Sequence, residues 1–81
     1  MNQKEIIEFA IKGITAEIRE LESTVEKGRK YLEDLAKGKK IKSPKNASEI
    51  KEIIHNAQAK IEELDKKKFD LQWQLEIELN A

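Results

Sequence analysis

Apolar residues recur along the first half of the chain with a regular step. Ile7, Ile11, Ile14, Ile18, Leu21, Val25, Gly28, Leu32 and Leu35 follow one another at alternating intervals of four and three. Residues so spaced fall on one stripe of an α-helix, the a and d positions of a heptad. Ile11, Ile18, Val25 and Leu32 take a, the others take d, and Gly28 is the one position without a side chain. The helix this stripe predicts covers residues 3–36. Asn2 is its cap, with Glu5 three residues on as in a capping box. Ala36-Lys37-Gly38 is its stop, because glycine accepts the left-handed backbone that ends many helices.

A second stripe runs through Ala47, Ile50, Ile54, Ala57, Ile61, Leu64, Lys68, Leu71 and Leu75. Its steps of three and four predict a helix ending at about residue 79. Two start signals compete for its beginning. Ser43-Pro44 places a capping serine before a proline at the first helical position, and Asn46 with Glu49 is a second capping pair. The helix therefore begins at 44 or at 47, and residues 37–46, KGKKIKSPKN, are the only loop.

The end of the second helix carries a pattern of another period. In 69–79, FDLQWQLEIEL, Phe69, Leu71, Trp73, Leu75, Ile77 and Leu79 alternate with polar residues. Alternation is the mark of a strand with one buried face. A strand here has no partner elsewhere in the chain, whereas Leu, Gln and Glu are good helix formers and the helical stripe continues through Leu71 and Leu75 in phase. On a helix, the alternation splits into two faces. Leu71, Leu75 and Leu79 fall on one side, and Phe69, Trp73 and Ile77 roughly opposite. The start of the first helix shows the same trait, with Ile6, Phe9, Gly13 and Ala16 away from its a and d stripe.

Two helices of equal length, each about 50 Å long, joined by a short loop make an antiparallel hairpin. Pairing Ile7 with Leu75 sets side by side residues whose numbers sum to about 82. Ile54 then faces Gly28 and fills the gap it leaves, and Lys68 faces Ile14 with its stem packed and its ammonium reaching water. The fold class is all-α: one domain over residues 1–81, a long coiled-coil-like hairpin. Ile6, Phe9, Phe69, Trp73 and Ile77 gather at the open end, outside the seam. Aromatic groups left in water mark a protein interface, so two hairpins are expected to pair there as a homodimer with a four-helix bundle. The alternatives are a different protein at this patch, or a monomer that folds the patch inward by a kink at Gly13 or Gly28.

Composition agrees with this picture. Charged residues are 40% of the chain and aromatics 5%, the balance of long helices. The strong period argues against disorder. The chain has no cysteine, so neither disulfides nor thiolate metal sites enter, and a reducing cytoplasm is the expected setting. No apolar run nears the ~20 residues of a membrane span. Glu5 and Glu8 interrupt the N-terminal segment where a signal peptide is apolar, so no targeting segment is expected. A small, lysine-rich, cysteine-free chain of this kind suits a bacterium or its phage.

The charge is uneven although it sums to zero. Residues 1–26 hold three basic and six acidic groups, residues 27–45 eight and two, and residues 46–81 five and eight. The hairpin is thus a rod with a basic tip, carried by Lys37, Lys39, Lys40, Lys42 and Lys45, and an acidic open end. The tip is either a loop kept in solution by lysine or a contact for phosphates or an acidic protein. Only Arg19 and Arg29 among the basic residues carry the guanidinium fork that reads bases, and the loop has no aromatic residue to stack on one. Nucleic-acid binding through the tip is therefore expected to be weak, non-specific and sensitive to salt.

Catalytic patterns are sparse. There is no glycine-rich phosphate loop, no H-E-x-x-H and no nucleophile elbow. Glu52 and His55 have the Glu-x-x-His spacing of di-iron bundles, but they fall at outer positions, and no carboxylate lies on the facing stripe of the first helix. They are expected to be surface residues, so neither metal nor cofactor is expected. Carboxylate pairs such as Glu62-Glu63 lie on a charged surface, without the concave pocket that tunes a catalytic acid. Pairs at i,i+4 such as Glu26-Lys30 and Glu62-Lys66 account for many charges as surface ion pairs. Ile61-Glu62-Glu63-Leu64-Asp65 shares Glu-Leu-Asp with the Ser-Gln-Glu-Leu-Asp motif of the small sporulation phosphatases, which are also helical hairpins. Ile61 and Glu62 replace that motif's serine and glutamine, and no catalytic role is carried over. The expected function is that of a non-catalytic interaction or assembly module. A nucleic-acid-associated factor acting through the tip is the alternative, and an enzyme would require a site built across an oligomer interface.

Overall fold

A computed structural model of the chain describes residues 2–39 and 45–80. Two helices, α1 (Gln3–Ala36) and α2 (Ala47–Asn80), each of 34 residues, pack along their length into a rod of 59 × 18 × 16 Å. Each boundary has a local cause. At the start of α1, the Asn2 side-chain oxygen accepts the Glu5 backbone N–H at 2.8 Å, meeting one of the donors a helix start leaves without a partner. At its end, Gly38 takes φ +75°. The Gly38 N–H donates to the Leu35 carbonyl and the Lys39 N–H to the Asp34 carbonyl, which is the paired closure of a Schellman motif. Of the two candidate starts for α2, Asn46 is the cap: its side-chain oxygen accepts the Glu49 N–H at 2.9 Å. Ser43 and Pro44 lie outside the described residues.

The core is the predicted seam. Ile7, Ile18, Val25 and Gly28 of α1 and Ile50, Ile54, Ala57 and Leu64 of α2 are buried. Ile11, Ile14, Leu21, Leu32, Leu35, Ile61, Lys68, Leu71 and Leu75 are half-buried. The register is set most tightly at Gly28. A Cβ there would lie 2.8 Å from Cγ1 and 3.0 Å from Cδ1 of Ile54, so the isoleucine occupies the space a side chain would need. Gly13 has no such neighbour. Neither glycine interrupts α1, which runs as one helix past both, so the inward fold by a kink does not occur.

Residues 69–79 are helical, and Leu71 and Leu75 face the seam. Leu79, on the same side as Leu71 and Leu75, is exposed. The next seam position after Leu75 is Glu78, and at this level α1 is only beginning, so no neighbouring turn covers Leu79. Beside the loop, the Tyr31 hydroxyl donates to the Lys45 carbonyl at 2.8 Å and ties the end of α1 to the start of α2.

The ion pairs among the described residues differ from those expected. Lys4–Glu8, Glu33–Lys37, Asp34–Lys39, Lys60–Glu63 and Glu63–Lys67 form; Glu26–Lys30 and Glu62–Lys66 do not. Exposed pairs gain little over hydration, so side-chain freedom decides which neighbours meet.

Candidate functional site

The large apolar side chains left exposed among the described residues are Ile6, Phe9, Phe69, Trp73, Ile77 and Leu79. All six lie at the open end, within the first turns of α1 and the last three turns of α2. Phe9 is 71% exposed, Phe69 68% and Trp73 61%, values that leave most of each ring in water. A single exposed leucine would be ordinary. Six large apolar groups in one part of a rod whose remaining surface is charged are not.

Their placement follows from the heptad. Phe9 and Trp73 occupy the position opposite the seam on their own helices, and the two residues stand at the same level of the hairpin. Each ring therefore points away from the other helix. The open end carries two apolar faces on opposite outer surfaces: Ile6 with Phe9 on α1, and Phe69, Trp73 and Ile77 on α2. The periodicity places these residues at one end but leaves them as a single group, and the paired register divides them. The α2 face is the larger. Shallow grooves open beside its aromatic rings, one bordered by Phe69, Gln72, Trp73 and Glu76, the next by Trp73, Glu76, Ile77 and Asn80. Residues 69–80 include Asp70, Glu76 and Glu78 and no basic side chain.

The basic tip is less free than its composition implies. The Lys37 ammonium lies 2.7 Å from a Glu33 carboxylate oxygen and that of Lys39 lies 3.4 Å from Asp34. Both lysines are thereby partly neutralised by their own helix. Lys45 is exposed, and its carbonyl is taken up by Tyr31. Lys40 and Lys42 lie outside the described residues. The surface leading to the tip mixes signs, with Glu26, Glu33 and Asp34 among Arg29, Lys30, Lys37 and Lys39.

Glu52 and His55 are exposed on the outer surface of α2. Among the described residues no three His, Asp or Glu side chains gather closely enough to hold a metal ion. No helix among them is long and apolar enough to cross a membrane. The grooves are open on the rod's surface, and among the described residues no buried polar side-chain atom lacks a hydrogen-bond partner. No protein-family model, no curated protein and no solved structure matches this chain.

Proposed function

We propose that the protein is a small, non-catalytic assembly module of the cytoplasm that self-associates through its open end. One observation carries this reading: among the described residues, the exposed large apolar side chains are confined to that end, on both of its helices. Water contact with this much aromatic surface is unfavourable by about 25 cal/mol per Å², and covering it is the driving force for association. The same distribution argues for end-localised pairing rather than a bundle along the whole rod. Beyond the open end the outer positions of both helices are mostly charged, so lengthwise contact there would desolvate charge without gaining apolar burial.

The substitution Trp73→Lys tests the proposal. Trp73 points away from the seam, so a single hairpin is expected to tolerate lysine there, while association is expected to be lost. An unchanged dependence of melting temperature and mass on concentration would contradict the reading. Contact between the tip and polyanions is the second reading, supported by the excess of lysine in 37–45. It is weakened by the internal pairs of Lys37 and Lys39, and retention on a polyanion column that falls as salt rises would support it.

A further inference from the structure

The α2 face at the open end is self-complementary about Trp73. Phe69 and Ile77 lie four residues to either side of it, Asp70 and Glu76 three, and Lys66 and Asn80 seven. All seven side chains fall on the outer half of the helix, away from the seam, and all are exposed. Resting on the self-association proposed above, we infer that two copies pair antiparallel through this face, with the two-fold axis passing at Trp73.

A two-fold axis there sets the two Trp73 rings against each other. It places each Phe69 level with the second copy's Ile77, because residues displaced equally to opposite ends of the stripe come level. Aromatic and aliphatic groups thus meet in three successive layers. Asp70 comes level with the second copy's Glu76 but on the opposite edge of the stripe, so the two carboxylates stand apart in water. Lys66 and Asn80 close the two ends of the contact.

The size of the face fits a weak dimer. At roughly 150–250 Å² per aromatic ring, two rings about two-thirds exposed and one half-exposed isoleucine offer on the order of 400 Å² per copy. With the flanking polar residues the pair buries about 1,000 Å² in total, the small end for a specific interface. Association is therefore expected to depend on concentration. It leaves the α1 face, Ile6 and Phe9, uncovered on the far side of each hairpin.

The absence of cysteine makes the geometry directly testable by disulfide trapping. The variants Lys66→Cys and Asn80→Cys alter polar, exposed positions outside the apolar layers. In the antiparallel arrangement residue 66 faces residue 80 of the second copy, while like positions lie about 20 Å apart along the helix, at 1.5 Å per residue. Mixing the two variants under oxidation is expected to yield a covalent dimer containing one copy of each, with neither variant cross-linking alone. Cross-linking of either variant to itself would mean parallel pairing and would overturn the inference. Failure of the mixture to cross-link, with a dimer still present by light scattering, would move the contact to another face such as that of Phe9 and leave the proposed function standing. A monomer at every concentration would remove both.

Discussion

The two halves of this rod use their apolar residues in opposite ways. Toward the loop, Val25, Ile50, Ile54 and Ala57 are buried around Gly28, with Leu21, Tyr31, Leu32, Ile53 and Ile61 packed on them, and the outer surface is charged. At the open end the seam still buries Ile7, at 3% exposure, among half-buried Ile11, Ile14, Leu71 and Leu75, while Phe9, Phe69 and Trp73 stand in water. Both halves close a seam, but only the open end carries further large apolar side chains outside it. A two-helix seam buries one stripe per helix, so a second stripe stays in water within a single hairpin. The difference separates residues that hold the hairpin from residues that remain available to bind.

Substitutions sharpen this contrast, beginning in the packed half. Ile54→Ala removes the side chain that fills the gap at Gly28, and is expected to cost about 2–4 kcal/mol. That is a large part of the roughly 4–12 kcal/mol expected for a chain of this length. A marked fall in melting temperature by circular dichroism checks it, and an unchanged melt would mean the two helices do not meet in this register. Next, Gly28→Leu forces a side chain into space Ile54 already fills, for a loss of about 1–3 kcal/mol, readable as a lowered denaturant midpoint. Gly13→Ala reverses the sign. A Cβ at Gly13 meets open space, so the better helix former is expected to stabilise by about 1 kcal/mol; destabilisation would point to a contact at Gly13 in the assembled state. The smallest effect is expected from Tyr31→Phe, which loses one exposed hydrogen bond to the Lys45 carbonyl, about 0.5–1 kcal/mol. Faster amide exchange in the first turn of α2 is its most sensitive readout.

Much of the fold was legible because a heptad stripe is a direct image of burial. The steps of four and three placed both helices, the pairing of Gly28 with Ile54 followed from matching the stripes, and Gly38 marked the end of α1 through its left-handed backbone. The choice between Ser43 and Asn46 as cap was not legible, since both are good caps and only the hydrogen bond to Glu49 distinguishes Asn46. That Leu79, on the side of Leu71 and Leu75, stays exposed was not legible, because period alone does not say where the neighbouring helix stops. At the open end the residues themselves were visible as a second period in 69–79. Their division between two outer faces was not, because it depends on which way each helix turns its back once the pair has formed. At the tip, composition counts lysines but does not show that Glu33 and Asp34 each pair with one of them.

Absolute mass by light scattering, over a hundredfold range of concentration, tests the central claim that the open end is a self-association surface. The account predicts a rise from the 9.4 kDa of one chain toward twice that value, and no rise for Trp73→Lys at the same concentrations. A mass that stays at one chain throughout, with both proteins folded, would contradict it.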